Sequence, residues 1–373
     1  MSHDSSSTEK ARVYQRIKQK LSLFHLAYSP LILCVFLFTP LSAVLRDRAY
    51  GLATNPWLAV AVYFAMFYLV LVLLDFPFSW YSGYKLEQRF ELSNQSLGGW
   101  MKEFLKKTAL SLLLSLALIE GLWTLIWKFP AHWWVLAWAG YAAISYLLGK
   151  IFPVVIVPLF YKYGQVDDEA LKNRILALAA RYQLPVGNIY SLNLSKTTKK
   201  ANAAFMGLGR TKRVVLSDTL LENFDHDEIE TVVAHELGHY KHRDIWKQLA
   251  LGMTVSFFSF WIAFKVMDPS ARALGLEGAG DIASLPLLFL LFYGISLVLM
   301  PLQNGFSRWV EHAADRFALQ AFPKPEVFIS CMEKLCRVNL ADPAPNAVYE
   351  WFFYDHPSIS RRIKMAQSYK ERS

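Results

Sequence analysis

Charged residues and cysteines are scarce in this sequence. Lys, Arg, Asp and Glu make up 18% of the 373 residues, whereas ordinary soluble domains carry roughly 25%. The three cysteines, Cys34, Cys331 and Cys336, are too few for a disulfide framework. The composition therefore disfavours an ordinary soluble domain, and nothing in it demands an oxidising compartment.

Apolar and aromatic residues are abundant instead, at 54% and 15% of the chain. A helix needs about 20 apolar residues to cross a bilayer core. Six runs approach or exceed this length, and they cover residues 21–45, 57–78, 108–127, 132–160, 245–266 and 282–302. The sequence therefore predicts a polytopic membrane protein.

Lys and Arg concentrate in alternate segments between these runs. They are frequent in the N-terminal tail, after the second run, in residues 161–244 and in the C-terminal tail. This alternation follows the positive-inside rule. We expect both termini and residues 161–244 in the cytoplasm, and the net charge of +9 then requires no nucleic acid. The compact loops favour a bacterial protein, which we expect in the inner membrane. If the source is eukaryotic, we expect the endoplasmic reticulum membrane.

The runs divide the chain into five segments. These are a polar basic tail (1–20), spans one to four (21–160), a long polar segment (161–244), spans five and six (245–302) and a C-terminal segment (303–373). Within 161–244, a helix is expected to start at residues 167–169 and stop before Pro185, followed by strands near 188–195, 202–209 and 213–220. Asp225 and Glu228 then form a predicted capping box. We expect the helix that they open to continue into the fifth run.

This helix contains the sequence HELGH, residues 235–239. Because positions i and i+4 share a helix face, His235 and His239 can present two imidazoles to one zinc ion. Glu236 lies beside that face and can take a proton from a water at the site. The alternative interpretation is two polar histidines on an exposed helix face.

A catalytic zinc ion needs a third protein ligand. Glu311 is a candidate because two apolar runs separate it from His239, so the chain returns to the same side of the membrane. Asp315 shares its helix face and could orient a zinc-bound histidine. Asp75 and Glu120 are rival ligands, but they lie in or at other runs. The pattern predicts one zinc ion per chain, held by His235, His239 and Glu311.

Several ordered motifs resemble those of the type I CaaX prenyl proteases, which are integral-membrane zinc endopeptidases that trim prenylated C-termini. The similarity extends from about residue 84 to the C-terminus. The motifs are KLEQRFELSNQS, FPVVIVPLFYKY, SKTTKKANAAFMGLGRTKRVVLSDTLL, AHELGHYKHRD, NGFSRWVEHAAD and DHPSISRRI.

The resemblance implies roles at matching positions. It implies that Glu311 is the third ligand, in an E-x-x-x-D motif, and that Asn202 lies on an edge strand that aligns an extended substrate. It implies that His356 stabilises the oxyanion, and that the helices enclose a water-filled chamber. Two features depart from the family: six spans are present rather than seven, and Ser358 and Arg361 replace a proline and an acidic residue.

The sequence thus predicts a polytopic α-helical membrane protein with about six spans and a zincin-type α+β metalloprotease core on the cytoplasmic side. Its expected partners are the lipid bilayer and a peptide or protein substrate, prenylated or not. Three alternatives remain: an HtpX-like quality-control protease, a non-catalytic zinc-bearing scaffold, and a transporter in which Glu120 contributes. Glu120 is otherwise interpreted as lining the chamber.

Residues outside the zinc motif have simpler interpretations. His25 and Asp75 are expected near the membrane interface, and three histidines that flank the motifs are expected to be solvated: His226, His242 and His312. A basic cluster is interpreted as part of the positive bias of the cytoplasmic face, where it could contact anionic lipid, and not as an RNA-binding surface. It comprises Lys196, Lys199, Lys200, Arg210, Lys212 and Arg213.

Overall fold

The computed structural model of the chain describes residues 2–184 and 189–371. Six helical segments in these ranges are long and apolar enough to cross a membrane: Glu9–Phe38, Pro56–Arg89, Leu97–Lys128, Trp133–Phe160, Asp244–Ala273 and Ile282–Ala321. The six predicted crossings are confirmed. Large apolar side chains such as Leu31, Leu73 and Val298 are 61–75% exposed on these helices. Such exposure suits contact with lipid and is rare in a protein surrounded by water.

Seven helices precede the sheet. They are α1 (Ser2–Phe38), α2 (Leu41–Leu52), α3 (Pro56–Trp80), α4 (Leu86–Arg89), α5 (Leu97–Lys128), α6 (Trp133–Ile151) and α7 (Val157–Phe160). The π-helical turns Tyr81–Lys85 and Phe152–Ile156 join α3 to α4 and α6 to α7. The first span ends at Phe38, whereas the apolar run was expected to extend to residue 45. Because Pro40 lacks a backbone N–H and disfavours a helical Thr39, α1 ends at Phe38 and α2 begins separately.

The α/β unit follows α7. It consists of β1 (Tyr163–Gln165), α8 (Glu169–Arg181), β2 (Ile189–Leu192), β3 (Ala203–Met206), β4 (Arg213–Ser217) and α9 (Asp218–Asn223). The sheet order is β1-β2-β4-β3, and β3 pairs antiparallel to β4 at one edge. Strands β2 to β4 match the prediction, whereas β1 was not predicted. Pro185 and residue 188, at which the expected helix stop and first strand were placed, lie outside the described residues.

Helix α10 (His226–His242) begins with the predicted capping box. Asp225 accepts from the N–H of Glu228, and the Glu228 side chain accepts from the N–H of Asp225. The helix does not continue into the fifth span, so that expectation is wrong. Arg243 adopts a left-handed conformation, with φ 56° and ψ 38°, and α11 (Asp244–Ala273) starts in a new direction.

Four helices complete the fold: α12 (Leu285–Ala321), α13 (Pro325–Val338), α14 (Ala347–Phe353) and α15 (Ile359–Lys370). The last turns of α12 extend beyond the apolar run and pack against α10. Gly238 makes this close approach possible, because a Cβ atom there would lie 3.1 Å from the Cα of Ala314 on α12. The two helices share a buried core with α8, α13 and the sheet. A separate apolar core packs the spans together at the ends that lie away from α10 and the sheet.

Candidate active site

His235 and His239 project from one face of α10, one turn apart, as the i and i+4 spacing predicts. Their Nε2 atoms lie 3.1 Å from each other, and the two rings are nearly perpendicular. His235 is buried and His239 is partly buried. Two ring nitrogens that face each other at this distance require a proton or a cation between them.

Glu311, on α12, completes this cluster. Its Oε2 lies 3.2 Å from Nε2 of His235, and its Oε1 lies 3.4 Å from Nε2 of His239. Oε2 is buried and has no hydrogen-bond partner of suitable geometry among the described residues. One ligand atom from each of the three residues lies within 4.8 Å of the others, so the cluster could hold a metal ion.

The charge around the two histidines also favours a cation. Burial lowers the pKa of His239, but its contacts with Asp244 and Glu311 outweigh burial and raise the pKa to about 10. Burial also lowers the pKa of His235, but its contacts with Asp315 and Glu311 outweigh burial, so the pKa is raised. Carboxylates therefore surround the imidazoles and stabilise positive charge between them.

Each histidine is oriented through its second ring nitrogen. Asp315 Oδ1 lies 2.8 Å from Nδ1 of His235, and Asp244 Oδ2 lies 3.0 Å from Nδ1 of His239. Both carboxylates are buried. Such partners fix the ring orientation and leave Nε2 for a metal ion. Asp315 lies where it was predicted. Asp244 was not predicted, although an acidic residue shortly after the HELGH helix could have indicated it.

Arg362 is a second residue that the sequence analysis missed. Its Nε donates to Asp315 Oδ2 at 2.8 Å, and its Nη2 also reaches Asp315. This buried ion pair connects α15 to α12 and holds the carboxylate that orients His235. No local pattern relates two residues 47 positions apart, so only the folded structure reveals the pair.

Glu236 lies next to the edge of the sheet. Its Oε2 accepts a hydrogen bond of 2.9 Å from the backbone N–H of Phe205, in the edge strand β3. This bond restrains the carboxylate beside the two histidines, and Oε1 forms no hydrogen bond within the described part of the chain. The residue is thus connected to both the metal-ligand helix and the edge strand.

Asn202 and His356 line one cavity with His235 and Glu236. The cavity has a volume of about 290 Å³. The backbone carbonyl of Asn202 accepts from Ser217 N–H at 2.9 Å, and its side chain is exposed. Nε2 of His356 lies 3.2 Å from Glu311 Oε1. Contacts with Asp355 and Glu311 raise the pKa of His356 to about 10. All seven predicted site residues therefore come together.

The rival ligands lie elsewhere. Asp75 pairs with His25 at 2.6 Å, and Glu120 has a buried Oε1 without a hydrogen-bond partner among the described residues. His226 pairs with Asp168 at 2.6 Å. None of these side chains belongs to the His235–His239–Glu311 cluster.

Comparisons with known proteins identify the family to which the chain belongs. The model of Peptidase family M48 matches residues 165–370, and that of the CAAX prenyl protease N-terminal region, described as five membrane helices, matches residues 2–162. Those residues contain four of the candidate spans here.

Individual relatives cover most of the chain. An uncharacterized metalloprotease of Bacillus subtilis is 31% identical over 80% of this chain and 71% of its own length. CAAX prenyl protease 1 of Saccharomyces cerevisiae is 26% identical over 96% of this chain and 85% of its own. The crystal structure of S. mikatae Ste24p has the same fold, with a TM-score of 0.86 and 23% identity over 97% of this chain and 89% of that one.

These matches do not favour the scaffold, transporter or HtpX-like alternatives. None of the relatives described above is a scaffold or a transporter. The match to the CAAX prenyl protease N-terminal model favours a CaaX-type protease over an HtpX-like one. The geometry and the matches lead to one conclusion. The chain belongs to Peptidase family M48 and is a multi-pass membrane metalloprotease.

Proposed function

We propose that the protein is a zinc endopeptidase that cleaves near the C-terminus of CaaX-type substrates. The observation that carries the proposal is the convergence of His235, His239 and Glu311 beside Glu236. Ligands about 2.1 Å from a tetrahedral zinc ion are about 3.4 Å apart, and the ligand atoms here are 3.1–3.4 Å apart. Zinc bound there would polarise the scissile carbonyl and acidify a water molecule.

Glu236 is the proposed general base. Its Oε1 accepts the proton of the attacking water and later delivers it to the leaving amine, while Oε2 stays bonded to Phe205 N–H. This bond lets the carboxylate change protonation state without changing position. Proton transfer by a positioned side chain contributes typically 10²- to 10⁴-fold to the rate.

Strand β3 is the proposed substrate edge. Since β4 occupies one side of β3, an extended peptide can pair with the backbone groups on the other side that are not already bonded to Glu236. The Asn202 side chain, exposed at the start of this edge, is the proposed partner of a substrate carbonyl or amide. Protonated His356 supplies the positive charge that an oxyanion requires, and Asp355 holds its ring at 2.9 Å.

A prenylated chain end is the proposed substrate class. Relatives bear the name CAAX prenyl protease 1. In addition, a cavity of about 620 Å³ lies among the membrane helices, lined by residues such as Leu251, Phe260 and Phe292, and it includes Asp355 beside His356. A lipidated peptide could enter the site from this cavity. The Lys and Arg bias supports placing both termini in the cytoplasm, and compact loops support a bacterial inner membrane.

Matched peptides test the substrate class. The detergent-purified protein is given two peptides of identical CaaX-ended sequence, one farnesylated and one not, and the products are identified by mass spectrometry. We expect cleavage near the C-terminus and a higher kcat/KM for the farnesylated peptide. Equal kcat/KM values would reject a role for the lipid, and cleavage of neither peptide would reject the CaaX-type substrate class.

A further inference from the structure

The basic cluster noticed in the sequence divides into paired and unpaired cations. Lys196 pairs with Glu103 at 2.9 Å, and Lys200 pairs with Glu87 at 2.8 Å. Lys212 forms no ion pair among the described residues. Its Nζ instead lies 4.1 Å from the ring centroid of Tyr240. The cation at position 212 is therefore available to an anion that the chain does not supply.

Lys212 faces a cavity of about 820 Å³ that also contains Lys241 and Arg243. We call this space the cationic cavity. Its wall includes the aromatic or apolar side chains of Tyr240, Ile245 and Trp246. Across residues 2–184 and 189–371, no carboxylate forms an ion pair with any of the three cations. Three like charges around one space repel each other, and an anionic ligand would relieve that repulsion.

The position of the cationic cavity indicates the source of the anion. Ile245 and Trp246 begin the membrane helix α11 and are 44% and 45% exposed. Trp246 lies 6.3 Å from the ring of Tyr146, near the end of α6, and Lys150 lies over that ring at 4.7 Å. Trp, Tyr and Lys at the ends of membrane helices are typical of the headgroup region. The cavity thus opens where two spans meet the α/β unit.

We propose that the cationic cavity binds the phosphate headgroup of an anionic phospholipid, with the acyl chains against the exposed side chains that begin α11. A volume of 820 Å³ lies in the range of small-ligand sites and accommodates a glycerophosphate group. His239 and Phe205 also line the cavity, so the bound headgroup lies beside the active site. The proposal concerns lipid binding and does not depend on the identity of the substrate.

Native mass spectrometry of the full chain tests the proposal. The protein is titrated with phosphatidylglycerol, phosphatidylcholine of matched acyl chains, or inorganic phosphate, and the adducts are counted. Lys212→Gln with Lys241→Gln removes two of the cavity charges, while Arg243 remains to preserve the helix break. Lys172→Gln with Lys324→Gln is the matched control, because those lysines pair with Glu169 and Asp227 away from the cavity.

We expect wild type to retain phosphatidylglycerol in preference to phosphatidylcholine. The cavity variant should bind phosphatidylglycerol about 30-fold more weakly, and the control variant should bind it within about twofold of wild type. Equal retention of the two lipids by wild type would overturn the proposal whether or not the variants fold. Undiminished binding by the folded cavity variant, or displacement by inorganic phosphate at equal concentration, would overturn it as well.

Discussion

Asp244 lies 3.0 Å from Nδ1 of His239, and the left-handed Arg243 between their helices makes this contact possible. A continuous helix would place residue 244 on a different face from residue 239, because five positions correspond to about 500° of rotation. The break at Arg243 therefore determines how the second proposed zinc ligand is oriented. Lys247 holds the other oxygen of Asp244 at 2.8 Å.

The first prediction concerns this contact. Asp244→Asn should weaken zinc binding about 10- to 100-fold, because the carboxylate that orients His239 is replaced by a neutral amide. Zinc affinity is measured by competition with a fluorescent chelator. Asp268→Asn is the control, since Asp268 lies on the same helix and pairs with the exposed Arg272. Equal affinity in Asp244→Asn and wild type would contradict the positioning role.

The second prediction concerns the approach of α10 to α12. Gly238→Ala adds a methyl group 3.1 Å from the backbone of Ala314, which should separate the helices that carry the proposed ligands. Overpacking of this kind costs about 1–3 kcal/mol. We expect a lower thermal midpoint and weaker zinc binding. Gly121→Ala on α5, where no atom lies within 4 Å, should be neutral or stabilising, and a similar result at both positions would contradict the account.

The third prediction concerns metal removal. Zinc bound at the proposed site between α10 and α12 should stabilise the folded state by about 4 kcal/mol when its concentration is 1,000 times the dissociation constant. A chelator should therefore lower the thermal midpoint, and added zinc should restore it. Glu311→Gln should have a low midpoint that neither treatment changes greatly. A chelator response of the same size in that variant would show that the stabilising metal binds elsewhere.

The fourth prediction concerns the thiol of Cys331. Burial raises its pKa to about 12, compared with about 8.5 for an exposed cysteine. At pH 8 the folded protein should resist alkylation at Cys331, and denaturation should make it reactive. The buried, protonated thiol makes its full contribution to the free energy of unfolding below about pH 8.5. That contribution declines as the pH rises toward 12. Peptide mass spectrometry measures the labelling, and rapid reaction in the folded state would contradict the burial.

The sequence predicts the centre of the site well because its signals are local. The capping box of Asp225 and Glu228 sets the start of α10, and helical spacing then places His235 and His239 on one face. Glu311 follows from membrane topology, because a pair of spans returns the chain to its starting side. A strand was likewise expected near residues 202–209, and its position at the sheet edge was implied by the family resemblance.

The parts that could not be predicted depend on tertiary contacts. Arg243 carries no glycine or asparagine signal for its left-handed conformation, so the helix break was missed. Arg362 pairs with Asp315 from a different helix, and β1 is only three residues long. In each case the contact, and not the local propensity, selects the conformation.

Glu236→Gln tests the central claim most directly. The purified variant and wild type are analysed for metal content and for hydrolysis of the same CaaX-ended peptide. The account predicts about one zinc ion per chain in both proteins and a loss of hydrolysis of about 10²- to 10⁴-fold in the variant. A variant that binds zinc and still cleaves the peptide at the wild-type rate would contradict the account.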